Sequence, residues 1–374
     1  MMESKYKIGP FIVLVDERNK EGYDYPVLGI NKDKTFMPTV ANMEGINTSK
    51  YKIVRKGTFV FSGMQTGRDV CIRIGLYDKD QPALISPAYT TFVLDERKEI
   101  IPEYFFLFFN RDESDRYGAF ISDSSVRANL DWNRFLDIEI PLPSLSEQQK
   151  IVNAWKALRE IKEQNEAIAA PLMQVCQSYI QDLKHKYESV EIGPYIEECN
   201  ERNLDNLYTL DAVRGVSIEK KMIFTKANMD GVSLSPYKIF KPKEFCYVPI
   251  TSRNGNKITL SMNYNDVVHI VSSSYIVFDI IDKEILLPSF LFLLLSRSEF
   301  DRYARFNSWG SAREAFSFED MKRVRIPLPP LSVQQAIVNI YNCANEAKKI
   351  AAEADRMSRE VCPALIQHAI YHNI

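Results

Sequence analysis

The chain has 374 residues, 45% hydrophobic and 26% charged, with 47 Lys and Arg against 49 Asp and Glu for a net charge of −2. That length suits about two domains, and the composition excludes a disordered chain, a collagen-like repeat and a small disulfide scaffold. Near-neutrality excludes bulk polyanion binding, so any nucleic-acid contact has to be a local patch.

In chain order, the opening MMESKYKIGPF has no apolar leader core, so no secretory signal is expected. Residues 1–140 read as a mixed α+β globule. Its β-rich runs, Thr58–Phe61, Cys71–Ile74 and Tyr89–Leu94, are split by Gly63, Gly67 and Pro87. Pro102 then opens the apolar stretch EYFFLFFN, predicted as a buried helix with proline in its first turn, a buried strand being the alternative. Residues 141–187 are predicted as a long helix, residues 188–325 as a second α+β globule, and residues 326–374 as a second long helix. In the second globule Pro288 opens SFLFLLLS. The greasiest stretch, Ile285–Leu295, falls short of the roughly 20 residues a spanning helix needs, so no membrane segment is expected. The cysteines (Cys71, Cys176, Cys199, Cys246, Cys343 and Cys362) form no C-x-x-C pair and lie mostly far from the histidines. No metal site is expected, and scattered thiols fit a reduced, cytoplasmic protein.

The chain repeats itself. IPLPSLSEQQKIVN at 140–153 returns as IPLPPLSVQQAIVN at 326–339, matching at eleven of fourteen positions with an offset of 186. The same offset carries Ala41-Asn42-Met43 to 227–229, Tyr51-Lys52-Ile53 to 237–239, Ser86 and Tyr89 to Ser272 and Tyr275, Asp115-Arg116-Tyr117 to 301–303, and Ser125 and Arg127 to Ser311 and Arg313. Near the start the register slips to 184, where Ile8-Gly9-Pro10 returns at 192–194. A period this long is one domain-sized unit used twice, since solenoid units run about 20–50 residues.

The two copies agree where a core is expected and differ in one loop. The first carries SGMQTGRD (62–69) and the second ITSRNGNK (250–257). Gln65, Thr66 and Arg68 in one, and Ser252, Arg253, Asn254, Asn256 and Lys257 in the other, are candidate DNA-contacting residues. Arg can reach guanine O6 and N7, and Asn or Gln can reach adenine N6 and N7. The same residues also suit an ordinary surface turn. Arg127 and Arg313, in Ser-x-Arg settings, fit phosphate contacts or structural ion pairs equally. Arg116 and Arg302 fit helix-end pairing better.

From Ile151 the first helix shows a heptad pattern. One set is Ile151, Leu158, Asn165, Leu172 and Tyr179, and the other Ala154, Ile161, Ile168, Val175 and Asp182. The offset gives Ile337, Ala344, Ala351, Ser358 and Leu365, with Ile340, Ala347, Ala354, Val361 and His368. Two such stripes predict a coiled coil in which one helix supplies bulk and the other room. Asn165 would fix register, Pro171 would kink or interrupt the first helix, and Ser146 and Ser332 are candidate N-caps. Equivalent halves in the order globule, helix, globule, helix imply a pseudo-two-fold with antiparallel helices. About 40 helical residues span roughly 60 Å, enough to set globules about one DNA turn apart.

No catalytic constellation is found. The chain lacks G-x-x-x-x-G-K-[ST], G-x-G-x-x-G, H-E-x-x-H and G-x-S-x-G motifs, and its Pro329-Pro330 follows leucine rather than the Asn or Asp that would hold a flipped adenine. Together, the twice-occurring Ile-Pro-Leu-Pro-x-Leu-Ser-x-Gln-Gln-x-Ile-Val sequence opening each long helix, with GMQTGRD, SPAYTTF and YKIFKPKEFCYVPITSRNGNKI, resembles the specificity subunit of type I restriction-modification systems along essentially the whole chain. The resemblance implies two α+β target recognition domains, each reading half of a bipartite site in double-stranded DNA, joined by two antiparallel helices that set the unread spacer. It implies two docked modification subunits, which carry S-adenosylmethionine and methylate adenine, and motor-endonuclease restriction subunits with them. It implies no chemistry and no cofactor in this chain. The alternative is a free-standing DNA-binding or interaction scaffold without a methylation partner.

Overall fold

Alternating apolar residues in the β-rich runs bring phenylalanines face to face across neighbouring strands. In the computed structural model, which describes residues 5–123, 125–251, 257–311 and 313–372, with backbone alone at residues 362 and 368–372, Phe59 stands opposite Phe92 with ring centroids 5.0 Å apart. The copy repeats this with Phe245 opposite Phe278 at 4.9 Å. Offset stacking in a buried sheet adds about 0.5–1.5 kcal/mol to the area each ring buries.

The strands form an antiparallel sheet ordered Ile12–Leu14, Thr90–Leu94, Phe59–Ser62, Arg73–Leu76, matched in the copy by Ile196–Cys199, Ile276–Ile280, Phe245–Tyr247, Leu260–Met262. A second sheet in the first copy, Phe36–Pro38, Val27–Ile30, Ala83–Ile85, Lys52–Val54, contains one parallel pair, between Val27–Ile30 and Ala83–Ile85. The second copy has two ribbons there, Arg214–Val216 with Met222–Phe224 and Lys238–Phe240 with His269–Val271. Both apolar stretches are helices, Pro102–Phe109 and Pro288–Leu295, each with proline in its first turn and nearly every residue buried. Proline suits that position because the missing N–H has no intrahelical partner there.

Two helices of 42 residues, Leu145–Lys186 and Leu331–His372, follow the globules. The chain resolves into two compact units, residues 1–165 with 349–374, and residues 166–348. Each long helix is therefore shared between them. Within the first unit, Ile151 shares a core with Ile366, and Lys162 pairs with Asp355 at 2.7 Å. Rising numbers meet falling ones, so the segments run antiparallel. In the second unit Cys176, Ile180 and Leu183 share a core with Ile337 and Val338.

Several helix expectations need correction. The buried or half-buried seam of the first helix is Ile151, Trp155, Leu158, Lys162 and Asn165 in the first unit and Ala169, Leu172, Cys176, Ile180 and Leu183 in the second. Ile161 and Ile168, expected in the seam, are 41% and 51% exposed, and Val175 is also exposed. The second set thus lies one residue later than apolarity suggested. Ile151, Val152 and Trp155 join the globule's core and set the helix's rotation, so Lys162 enters the seam although Ile161 is the greasier neighbour. Asn165 donates to the Ile161 carbonyl of its own helix at 2.8 Å. On the second helix Ile337, Ala344, Ala347, Ala351 and Ala354 are buried and Ile340 is half-buried. The first helix runs uninterrupted through Pro171. Its cap is Ser144, whose Oγ accepts from the Glu147 N–H at 3.3 Å, not Ser146. In the second helix Pro330 takes the cap position, with its carbonyl accepting from Val333 and Gln334 N–H groups, so Ser332 lies inside the first turn.

The paired glutamines divide their work. Gln148 is fully buried; its Oε1 accepts from the Ile101 N–H at 2.9 Å, and its Nε2 donates to the Glu99 and Pro143 carbonyls at 3.0 and 2.9 Å. Gln334 makes the same three bonds, to Leu287, Ile285 and Pro329. Gln149 and Gln335 lie on the surface and donate to Asn153 and Asn339, each at 2.8 Å. Replacing Gln148 by Leu strands buried backbone groups at a cost of about 1–3 kcal/mol each. We expect Gln148→Leu to lower unfolding free energy by at least about 2 kcal/mol and Gln149→Ala by less than about 0.5 kcal/mol in urea titrations; equal effects would reject this division.

Candidate nucleic-acid interface

The segment after strand Phe59–Ser62 has to turn tightly, and its residues allow it. Gln65 and Val70, with φ of 61° and 48°, bracket a single helical turn, Thr66–Asp69. The turn is stitched to residues 121–130: the Gly67 N–H donates to the Ala128 carbonyl, the Leu130 N–H to the Gly63 carbonyl (both 2.8 Å), and the Gln65 N–H to Asn129 Oδ1 at 3.0 Å. A Cβ at Gly63 would stand 1.9 Å from the Leu130 carbonyl oxygen, and one at Gly67 2.8 Å from Ala128 Cβ. Only glycine permits these approaches. The loops carrying Arg68 and Arg127, 59 positions apart in sequence, are thereby brought together.

The turn is cationic. Asp69 lies within ion-pair distance of Lys32, Arg68 and Arg73, at 3.5, 3.4 and 2.5 Å. Burial works against its ionisation, but the three cations together hold its carboxyl below the ordinary range. Three positive groups around one carboxylate leave a local excess for a polyanion. Arg68 is exposed and also donates to Gln65 Oε1 at 2.8 Å. Arg127 is exposed, with no ion pair among the described residues. Thr66 does not face solvent: it is fully buried and donates to the Gly63 carbonyl, so it shapes the turn and cannot read a base edge.

In the second unit the residues before the corresponding loop are tied to residues 314–316. The Thr251 N–H donates to the Glu314 carbonyl at 2.9 Å, and the Phe316 N–H to the Pro249 carbonyl at 2.8 Å. Ser252, Arg253, Asn254 and Asn256 lie outside the described residues. Lys257 pairs with Glu219 at 2.9 Å, while Arg313 is exposed. Arg214, Lys221, Phe224 and Tyr264 line a shallow cleft of about 400 Å³ in this unit. Leu28, Thr35, Pro38 and Asp78 stand at those positions of the first copy, so the cleft's chemistry is not repeated.

Each unit holds the same buried ion pair. Lys34 meets Asp115 at 2.7 Å, and Lys220 meets Asp301 at 2.7 Å. Asp115 Oδ1 also accepts from the Ile72 N–H at 2.8 Å, and Asp301 Oδ1 from the Ile258 N–H at 3.2 Å. Burial raises the Asp115 carboxyl above its ordinary range, against the pull of Lys34, and lowers the Lys220 ammonium. Both lysines are left-handed, with φ of 60° and 57°. The lysines were not singled out from sequence, although the 186-residue offset superposes them.

A sequence profile of the type I restriction modification DNA specificity domain matches residues 12–170 and 231–342. The chain belongs to this family. Among solved structures, the S subunit of a type I restriction-modification system from M. genitalium is similar at 13% identity and a TM-score of 0.64, over 100% of this chain and 97% of that one. The HsdS subunit of Thermoanaerobacter tengcongensis is matched at 15% identity and a TM-score of 0.41, over 99% of this chain and 97% of that one. No curated protein sequence matches the chain. The fold shared with the M. genitalium protein is the α+β architecture with long helices described above. Among the described residues, no group of His, Cys, Asp or Glu could hold a metal ion, and no helix is long and apolar enough to cross a membrane.

In this specificity-domain chain the buried pair and the exposed arginines should separate by experiment. Asp115→Ala leaves Lys34 buried without its carboxylate and should cost about 3–5 kcal/mol in chemical denaturation. Arg68→Ala should cost less than about 0.5 kcal/mol. A mild Asp115→Ala effect would show that the pair does not hold the turn.

Proposed function

We propose that each unit reads one half of a bipartite site in double-stranded DNA, and that the chain positions adenine methyltransferase subunits, with motor-endonuclease subunits beside them. The observation that carries this reading is the repeat itself. Its cores, buried ion pairs and glutamine anchors coincide at an offset of 186, while the segments 62–69 and 250–257 differ in side-chain chemistry. Matching cores and anchors with different exposed chemistry suit two half-sites of different sequence.

In the first unit, Arg68 is assigned to a base edge, since its planar fork can bond guanine O6 and N7 together. Arg127, on the stitched neighbouring loop, is assigned to a backbone phosphate. In the second unit Arg313 stands at the position of Arg127 and is assigned likewise, while Lys257, at the position of Cys71, is the described candidate of its loop. The chain performs no chemistry in this reading. S-adenosylmethionine resides on the modification subunits, of which there are two, and the partners supply much of the phosphate contact, consistent with a net charge of −2. The long helices set the unread gap between half-sites.

Expression with the modification subunits in a methylation-free host, followed by long-read methylation mapping, should reveal a split adenine motif with a fixed gap. A contiguous motif, or no new methylation from an active complex, would reject the reading and favour a scaffold without a methylation partner. Lengthening either long helix should change the gap and leave both half-sites intact; a changed half-site at constant gap would contradict the spacing role. Arg68→Ala should relax one half-site at a cost of about 1–3 kcal/mol. Arg127→Ala should weaken binding across sequences and reduce the salt slope by about one.

A further inference from the structure

Phe120 and Phe306 occupy the same position of the repeat, each the last residue of a nine-residue helix, Asp112–Phe120 and Ser298–Phe306. They are 83% and 79% exposed. A single exposed phenylalanine is unremarkable on a protein surface. The same ring left in solvent at the same place in both copies, while every other phenylalanine except Phe224 is buried or half-buried, needs a separate cause.

Their surroundings indicate one. In the first unit the helix bearing Phe120 rests on the cationic turn: a Cβ at Gly118 would stand 2.4 Å from Ile72 Cγ1, and one at Gly67 3.1 Å from Ser122 Cβ. The chain then passes directly into the loop that carries exposed Arg127, and exposed Arg116 precedes the ring by one helical turn. In the second unit Arg302 precedes Phe306 by one turn, and exposed Trp309 and Arg313 follow it. An apolar ring bordered by cations complements a polyanion whose interior is flat and stackable. Duplex DNA has both properties, with phosphates for the arginines and base steps for the ring.

We propose that Phe120 and Phe306 are DNA-contacting wedges, each pressing against a base step at the edge of its own half-site and partly unstacking it. The inference rests on the half-site reading above. In that arrangement the arginines fix the duplex by its phosphates, and the ring adds an apolar contact sensitive to how readily the step opens.

The test uses the full chain assembled with its modification subunits and a duplex carrying the mapped motif. 2-Aminopurine is placed at steps flanking each half-site, away from the methylated adenines. The parent complex should raise fluorescence at one flank of each half-site. Phe120→Ala should abolish the rise at one half-site only and Phe306→Ala at the other only, each weakening binding roughly tenfold; Phe120→Trp should retain the signal. If both alanine variants bind and unstack like the parent while Arg68→Ala loses affinity, the wedge is overturned and the DNA reading stands. Loss of the modification subunits from the alanine variants would instead assign the rings to a protein contact and overturn the wedge. If the parent complex binds no duplex, both readings fall.

Discussion

The buried amides of Gln148 and Gln334 are the constraint from which the architecture follows. Each closes three backbone groups that would otherwise be sealed from water without partners. Two of those groups belong to the segment that leads into the apolar helix and one to the segment that leads into the long helix. One side chain therefore sets the angle between a globule and the helix leaving it. Because burial makes an unpaired amide costly, the arrangement tolerates little slack. Everything downstream inherits it: the helix's rotation, the seam it presents and the faces it leaves in solvent.

A second layer of constraint supports the candidate interface. The turn Thr66–Asp69 displays Arg68, but its position is set by buried and half-buried groups: Thr66, the Lys34–Asp115 pair and the close approaches at Gly63 and Gly67. Apposed polar and charged groups specify one geometry at some expense in stability, as buried ion pairs do. Of that support the second copy keeps the ion pair, Lys220–Asp301, whereas Pro249, Ser252 and Arg253 stand at the positions of Gly63, Thr66 and Gly67, so the exposed chemistry and the turn itself change while the buried pair stays. A surface built this way can vary its recognition without rebuilding the domain.

How much of this was legible in the sequence depended on the kind of signal. The repeat, the buried helices after Pro102 and Pro288, and the long helices were legible because periodicity and proline placement act locally. The twin glutamines were visible as a motif, but nothing in their order says that Gln148 is buried and Gln149 exposed; that depends on the carbonyls of Glu99 and Pro143, which tertiary packing brings to them. The seam was misplaced by one residue because apolarity favours Ile161 over Lys162, whereas the globule's grip on Val152 and Trp155 turns the helix the other way. Thr66 read as a surface donor because a hydroxyl's burial cannot be seen in a loop. Arg68 and Arg127 are separate signals in the sequence, and the bonds of Gly63, Gln65 and Gly67 to residues 128–130 join them.

The division of the long helices between the two units bears on how the molecule comes into being. The first unit draws Leu365 and Ile366 into a core otherwise made from residues before 156. During synthesis its strands are available to pair long before that closing segment leaves the ribosome, and the whole second unit is made in between. The second unit, drawn from one continuous stretch, waits for nothing made later. The half begun first is thus completed after the other, and its core carries an open apolar edge until Leu365 and Ile366 are made. Such sequence-distant closure slows folding and lengthens exposure to aggregation. It also makes a finished first unit a mark of a chain translated past Ile366.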